Sequence, residues 1–272
     1  MFPAGGLGTR FLPATKSLPK EMLPISNTPL MHYGVAEAFE AGLTKIGIVS
    51  GKSKKSIADY FDKNVIVEQS VKGTNKERLL DGINFLIKNC KFYYTRQKEA
   101  KGLGDAILTG EILIGKEPFG VILADDLCVN QGPGVMQQMI KVYKKYKCSI
   151  VAVEEVEPKD VSNYGVIAGE QITPDVYRVN EMVEKPSEDQ APSNLAIIGR
   201  YILTPDIFDI IRTTPEGKGG EIQITDALLT QAKQGNVIAY KFQGRRFDCG
   251  STRGYMDANN YFFNLAQNAS KS

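Results

Sequence analysis

Ala4-Gly5-Gly6-Leu7-Gly8-Thr9-Arg10 decides the fold of this 272-residue chain; it continues through Pro13 and Lys16 to Leu18-Pro19-Lys20-Glu21-Met22-Leu23-Pro24. Gly5, Gly6 and Gly8 let the backbone approach a ligand, because no Cβ stands in the way. Successive N–H groups in such a loop can form an anion-binding concavity. Arg10 adds a planar cation suited to bidentate phosphate contacts, and Lys20 a point charge. The glycines alone would also fit a surface turn. With two cations on the same segment, the stretch reads as a polyphosphate cradle.

Outward from the cradle, strands and helices alternate. Thr28-Pro29 reads as a helix start, with Thr28 as N-cap, Pro29 in the first helical position and Gly42 as the stop. Residues 45–49, 92–96, 119–124 and 148–153 read as strands. Leu79, Leu80, Ile83, Leu86 and Ile87 form one helical stripe, and Val135, Met136, Met139, Ile140 and Tyr143 another. This alternation predicts an α/β fold whose mostly parallel sheet is covered on both faces. Ala100-Lys101-Gly102-Leu103-Gly104-Asp105-Ala106 is a second glycine loop entering a helix, with its N–H groups available to a ligand. Gly51-Lys52-Ser53 imitates the end of a P-loop, but Ile46 stands where that motif needs glycine. Lys52, Lys54 and Lys55 therefore read as solvated.

The second half is richer in strands, at residues 164–168, 176–183, 195–203 and 237–242. Thr204-Pro205 caps a short helix, 217–220 is a glycine loop, and another helix stops at Gly235. A last helix over 251–267 precedes an expected frayed end at 268–272. There is no fixed-period repeat or low-complexity linker. One compact domain is expected, with a nucleotide half over about 1–127 and a second-substrate half over about 128–272.

Composition sets outer limits. Apolar content of 42% and charged content of 24% are ordinary for a globular protein. A net charge of +2 with no long basic tract argues against nucleic acid as the main partner. No apolar run approaches the ~20 residues of a membrane span. Gly5, Gly6 and Gly8 occupy the place of a signal-peptide core, so a cytoplasmic setting is expected. Cys90, Cys128, Cys148 and Cys249 are dispersed and read as reduced structural residues. His32, the only histidine, reads as a structural helix residue.

Three features fit one chemistry. They are the cationic loop with Lys20, an acidic strand end at Asp125-Asp126, and Asp248 in an Asp-Cys-Gly turn. Ligands in open α/β sheets sit at the carboxyl ends of strands. Two carboxylates delivered there can hold Mg²⁺, which takes oxygen ligands and substrate phosphates. Metal, arginine and lysine around a triphosphate imply phosphoryl or nucleotidyl transfer. Asp125 or Asp126 could instead cap a turn, and Asp248 could be an ordinary loop residue.

At this point the residues resemble a family. Gly-Leu-Gly-Thr-Arg-Phe-Leu-Pro-Ala-Thr-Lys (6–16), Pro-Lys-Glu-Met-Leu-Pro (19–24), Gln-Lys-Glu-Ala-Lys-Gly-Leu-Gly-Asp-Ala (97–106), Glu-Lys-Pro (184–186) and Gly-Gly-Glu-Ile-Gln-Ile-Thr-Asp-Ala (219–227) occur in order. Over essentially its whole length the chain is similar to the bacterial UTP–glucose-1-phosphate uridylyltransferases. The resemblance implies a Rossmann-like nucleotidyltransferase fold with a small β-rich sugar-binding part. It implies in-line attack of glucose 1-phosphate on the α-phosphorus of UTP, assisted by Mg²⁺. By position, Ala4, Gly5, Gly6, Gly8 and Thr9 would line UTP, and Arg10 and Lys20 would grip its triphosphate. Gln97 and Gly102 would read the uracil edge. Asp125 and Asp248 would hold the metal, Asp125 also bordering UTP. Gly165, Glu184 and Gly199 would contact the sugar and Lys185 its phosphate, with Arg10, Lys20 and Lys185 as the catalytic cations. Glu221 lies in a segment that closes the sugar end. A dimer or tetramer is implied as well.

The family carries several apolar residues before the glycine loop, where Met1-Phe2-Pro3 stand here. A shortened central strand would leave backbone groups of its neighbours unpaired. Lowered stability and a loosely held loop are therefore expected. Alternatives are a thymidylyltransferase or a non-catalytic nucleotide-sugar-binding regulator. A dinucleotide fingerprint is disfavoured, because Phe11 stands where a third glycine belongs.

Overall fold

The computed structural model describes residues 1–269. The first half comprises β1 (Phe2–Ala4), β2 (Pro24–Ile25), β3 (Thr28–Pro29), α1 (Leu30–Glu40), β4 (Lys45–Ser50), α2 (Lys55–Tyr60), α3 (Val65–Val71), α4 (Asp81–Asn89), β5 (Lys91–Arg96), α5 (Gly102–Thr109), α6 (Glu111–Ile114), β6 (Phe119–Ile122), β7 (Asp126–Val129) and α7 (Val135–Tyr146). The second comprises β8 (Ser149–Glu155), β9 (Gly165–Thr173), β10 (Val176–Glu184), β11 (Leu195–Leu203), α8 (Ile207–Thr213), α9 (Ile224–Ala232), β12 (Val237–Lys241), β13 (Arg245–Asp248) and α10 (Thr252–Ala269). Among the described residues no helix is long and apolar enough to cross a membrane.

Strands β5, β4 and β1 pair in parallel, and β6-β11-β8-β12-β10-β9 form a six-stranded sheet. Met1 joins the two. Its nitrogen donates to Gly120 O at 2.7 Å, and its carbonyl accepts from Ile122 N at 3.0 Å. One residue bonded to two alternate residues of its neighbour is the parallel pattern. Parallel pairing thus runs across the nucleotide half and recurs at β8–β12, whereas β11 pairs antiparallel with β6, β8 and β9. The strand-rich second half makes the sheet mixed. β9 and β10 are joined by Pro174-Asp175 alone, and a two-residue connection allows only a hairpin.

Alternate side chains of one strand serve opposite faces, as a sheet covered on both sides requires. Ile150 and Ala152 join the core under α1 and α7, while Val151 and Val153 join the core under α5, α8 and α9. A smaller cluster, with Leu23, Ile25, Leu30 and Phe247, lies against α10.

The loosening expected of the glycine loop is not seen. Phe2, Pro3 and Ala4 pair with Ile48, Val49 and Ser50, and Met1 completes the link to β6. Only at the start of β4, among the described residues, do Lys45, Ile46 and Gly47 pair with β5 alone. A groove of about 580 Å³ opens there beside Met1. The glycine loop itself is held. Phe2 is 1% exposed and fits under α1 because residue 34 is glycine; a Cβ there would stand 2.9 Å from the Phe2 ring.

Other boundaries move for local reasons. Thr28 does not cap α1. Its backbone pairs with Ile25, its hydroxyl bonds Asn27 Oδ1 at 3.2 Å, and the helix starts at Leu30. Leu79 lies on a 3-10 turn before α4 and is exposed. Residues 218–220 form a 3-10 turn, and α10 runs to Ala269, past its expected end; positions 270–272 lie outside the described residues. Gly42 and Gly235 follow their helices with φ of 84° and 79°, as the stops require.

Phe2→Ala should destabilise the protein by ~3–5 kcal/mol, the scale for truncating a buried ring. Urea unfolding measures this, and a loss below ~1 kcal/mol would show that β1 does not anchor the core.

Candidate active site

A cleft of about 430 Å³ opens where β1, β4, β5 and β6 end. Gly6, Lys20, Gln97, Gly102, Asp125 and Glu221 are among its lining residues. Ala4 is buried at the end of β1, and the loop then runs along the cleft. Gly5 is required by close approach: a Cβ there would stand 2.0 Å from Gln97 Oε1. Gly51, after β4, supports the loop from behind, since its own Cβ would lie 2.9 Å from the Gly5 carbonyl oxygen. Gly8 has φ of 68°, in the left-handed region, and its carbonyl accepts from Thr15 Oγ1 at 2.7 Å. Thr9 and Arg10 follow on an exposed 3-10 turn, with Arg10 Nη1 donating to Gly250 O at 3.3 Å.

Lys20 crosses the cleft to Asp125, with Nζ 2.5 Å from Oδ2 and the two side chains 25% and 22% exposed. Burial pulls the Lys20 ammonium down, but Asp125, followed by Glu21, outweighs it and raises its pKa. Burial likewise pushes Asp125 up, and Lys20 more than reverses this, holding the carboxylate below its usual range. Both groups are therefore charged across the neutral range.

Beneath this pair is another that the sequence reading missed. Lys54 is not solvated: its Nζ donates to both oxygens of Glu21 at 2.8 Å, with side chains 7% and 1% exposed. Burial dominates in both, raising Glu21 and lowering Lys54, each against the pull of its partner. The pair ties the turn after β4 to the residue next to Lys20. In the sequence, Lys54 looked like one of several surface lysines, and only packing distinguishes it.

Asp248, at the end of β13, comes to the same place as Asp125. A Cβ on Gly250 would stand 3.0 Å from Asp248 Oδ1 and 3.2 Å from Asp125 Oδ2. Both carboxylates thus abut Gly250, whose N–H donates to Asp248 Oδ1 at 3.0 Å. Tyr164 Oη donates to Asp248 Oδ2 at 3.0 Å. Arg246 Nη2 stands 3.7 Å from the same oxygen, while its Nε and Nη1 bind Asp126 and Glu154 at 2.6 Å. Asp126 is thereby removed from the cleft, since its other oxygen accepts from Gly199 N at 2.5 Å. Asp125 and Asp248 suit a hard divalent cation that takes its remaining oxygens from phosphate and water. Among the described residues, no three His, Cys, Asp or Glu side chains converge into a cage of their own.

Of the remaining candidates, Gly165 and Lys185 gather around Glu184. Its Oε2 accepts from Thr225 Oγ1 at 3.0 Å, and Lys185 Nζ lies 3.2 Å from its Oε1. A Cβ on Gly165 would collide with Thr225 Cγ2 at 2.6 Å and approach Glu184 Oε2 at 3.2 Å. Lys185 has φ of 47°, a left-handed turn closing β10, and its N–H donates to Tyr164 O at 3.0 Å. Tyr164 thus links this group to Asp248. Gly199 is buried, with its N–H on Asp126 and its carbonyl accepting from Leu123 N. Glu221 lies against the second glycine loop, where a Cβ on Gly102 would meet its Cβ at 2.8 Å. His32, in α1, contacts Tyr60 Oη at 2.9 Å through Nδ1, in keeping with a structural residue.

A family model described as nucleotidyl transferase matches residues 3–264. The chain belongs to that family. A UTP–glucose-1-phosphate uridylyltransferase of Pseudomonas aeruginosa is 61% identical over 264 residues, covering 97% of this chain and 95% of the relative. A crystal structure of UDP-glucose pyrophosphorylase complexed with UDP-glucose superposes with a TM-score of 0.91 at 56% identity, covering 97% of each chain. UTP-bound UGPase from Acinetobacter baumannii gives 0.88 at 37% identity over 96% of this chain and 91% of that one. Within the nucleotidyl transferases, the chain therefore groups with the UTP–glucose-1-phosphate uridylyltransferases.

In this nucleotidyl transferase, Lys54→Met should cost about 3–5 kcal/mol, because it leaves the Glu21 carboxylate buried and unpaired. Glu21→Gln combined with Lys54→Met should recover most of that loss in chemical denaturation. If the single variant is as stable as the parent, the pair is not structural.

Proposed function

We propose that the chain transfers the uridylyl group of UTP to glucose 1-phosphate, forming UDP-glucose and pyrophosphate. The observation that carries the reading is the convergence of the glycine loop and the Lys20–Asp125 pair in one cleft at the strand ends, with Asp248 beside Asp125 across Gly250. In the reaction a phosphate oxygen of glucose 1-phosphate forms a bond to the α-phosphorus of UTP. The bond from that phosphorus to the bridging oxygen of pyrophosphate breaks in line, and its electron pair leaves with pyrophosphate. The attacking phosphate is already ionised, so no general base is needed.

The protein's work is positioning and charge. Gly5, Gly6 and Gly8 would present backbone to the phosphates, with Ala4 and Thr9 at the two ends of the loop. Arg10 and Lys20 would neutralise the triphosphate. Asp125 keeps the Lys20 ammonium charged and aimed across the cleft. Asp125 and Asp248 would hold Mg²⁺, which when bound neutralises phosphate oxygens. Gln97 and Gly102 would face the base. Glu184, braced by Thr225, would accept from sugar hydroxyls, and Lys185 would meet the sugar phosphate. Gly165 would leave room for the ring, and Gly199 would serve as a floor, since its own polar groups are engaged. Ile222 N donates to Lys101 O and Ile222 O accepts from Gly104 N, both at 2.9 Å. The turn bearing Glu221 is thus fastened to the base-facing loop, so that closure at the sugar end would be felt at the base.

Pyrophosphate release from UTP, glucose 1-phosphate and Mg²⁺ tests the reading; a strong preference for dTTP would overturn it. Lys20→Ala should lower turnover by roughly 10²–10³-fold, the scale for one preorganised electrostatic contact; near-normal turnover would remove it from the catalytic set. Asp125→Asn should shift the Mg²⁺ titration to higher concentration. An unchanged titration would place the metal on other ligands.

A further inference from the structure

We propose that Asp105 fixes which way round the Gln97 carboxamide faces, and so makes the nucleotide site select pyrimidines with a proton on N3 over cytosine. This rests on the reading of Gln97 as the base-facing residue of a uridylyl-transfer site.

Gln97 follows β5 and is 4% exposed. One end of its amide meets Asp105 Oδ2 at 2.6 Å and Gly102 O at 3.3 Å. A carboxylate and a carbonyl only accept hydrogen bonds, so the amide group facing them is the NH₂. The other end, Oε1, is thereby assigned by chemistry. It lies over Gly5, where only a glycine allows it, and among the described residues no protein group donates to it. Gln97 and Gly5 both line the cleft.

The site therefore presents a carbonyl oxygen in want of a donor. Uracil and thymine offer N3–H. Cytosine has a bare N3 there, which would set lone pair against lone pair. An amide free to turn would discriminate poorly, because its NH₂ end would accept cytosine equally well. Gly102 O alone, at 3.3 Å, is a weak restraint. The shorter, charge-assisted bond to Asp105 supplies most of the orientation. Asp105 stands in the first turn of α5, where a carboxylate is favoured by the helix N-terminus. It acts on the base through Gln97 and is a positioning residue.

The test is kcat/KM for UTP, dTTP and CTP, read as pyrophosphate release with glucose 1-phosphate and Mg²⁺, in the parent, Asp105→Ala and Gln97→Ala. Each ratio is taken within one preparation, so a partly unfolded fraction cancels. Asp105→Ala should raise KM for UTP and lower the UTP/CTP ratio by about tenfold, the worth of one oriented hydrogen bond. The UTP/dTTP ratio should move far less, because both bases carry N3–H. The inference is overturned alone if Gln97→Ala lowers the UTP/CTP ratio and Asp105→Ala does not. It is also overturned if Asp105→Ala lowers both ratios together, which would mean a collapsed base pocket. An unchanged UTP/CTP ratio in both variants removes Gln97 as the base reader and this inference with it. A parent enzyme inactive on UTP overturns the functional reading itself.

Discussion

The structure depends on the parallel pairing of β1 between β4 and β6. Three residues, Phe2–Ala4, pair with β4, and Met1 bonds to β6. That pairing fixes where the glycine loop emerges. Ala4 ends the strand in the core, and Gly5 emerges beside the turn after β4 and beneath Gln97. Because the neighbouring strands run parallel, their carboxyl ends open on the same edge of the sheet. Ser50, Gln97 and the turn to Asp125 therefore arrive together. One short strand thus brings the glycine loop, Gln97 and Asp125 to one cleft.

Charge is arranged around that cleft in pairs, each anchoring the next. Lys54 secures Glu21, Glu21 adjoins Lys20, and Lys20 reaches Asp125. From the other side Arg246 gathers Asp126 and Glu154 and stands near Asp248. Arg200, 1% exposed, donates to both oxygens of Glu37 and to the carbonyl of Leu123, just before Asp125. Buried pairs of this sort add little net stability, since desolvation offsets much of their attraction. Their effect is geometric. Asp125 remains open to the cleft while adjacent Asp126 is fully engaged.

The sequence was most legible where function is local. The glycine loop with Arg10 and Lys20 is contiguous, and its chemistry follows from residue type and spacing. Strand–helix alternation likewise announced a covered sheet, because burial on both faces leaves a mark on each strand. It was least legible where a residue's environment comes from far along the chain. Lys54 resembled its solvated neighbours until Glu21 was brought against it. Residue type and spacing alone do not separate Asp125 from Asp126; the resemblance pointed to Asp125, and Arg246, 120 residues from Asp126, is what takes Asp126 out of the cleft. Thr28 had the form of a helix cap, but hairpin pairing with Ile25 claimed its backbone.

The sequence by itself determined an α/β fold with a glycine-rich, cationic loop near its start, and its ordered motifs carried the resemblance to the nucleotidyl transferases. Those properties rest on periodicity, turn chemistry and contiguous motifs, which are local in the chain. Only the tertiary structure decided which lysine is buried, what withdraws Asp126 from the cleft, and which end of the Gln97 amide is held by Asp105. Each of these is set by a partner distant in sequence or on another element, and the energy of a polar group depends on the partners that replace its water.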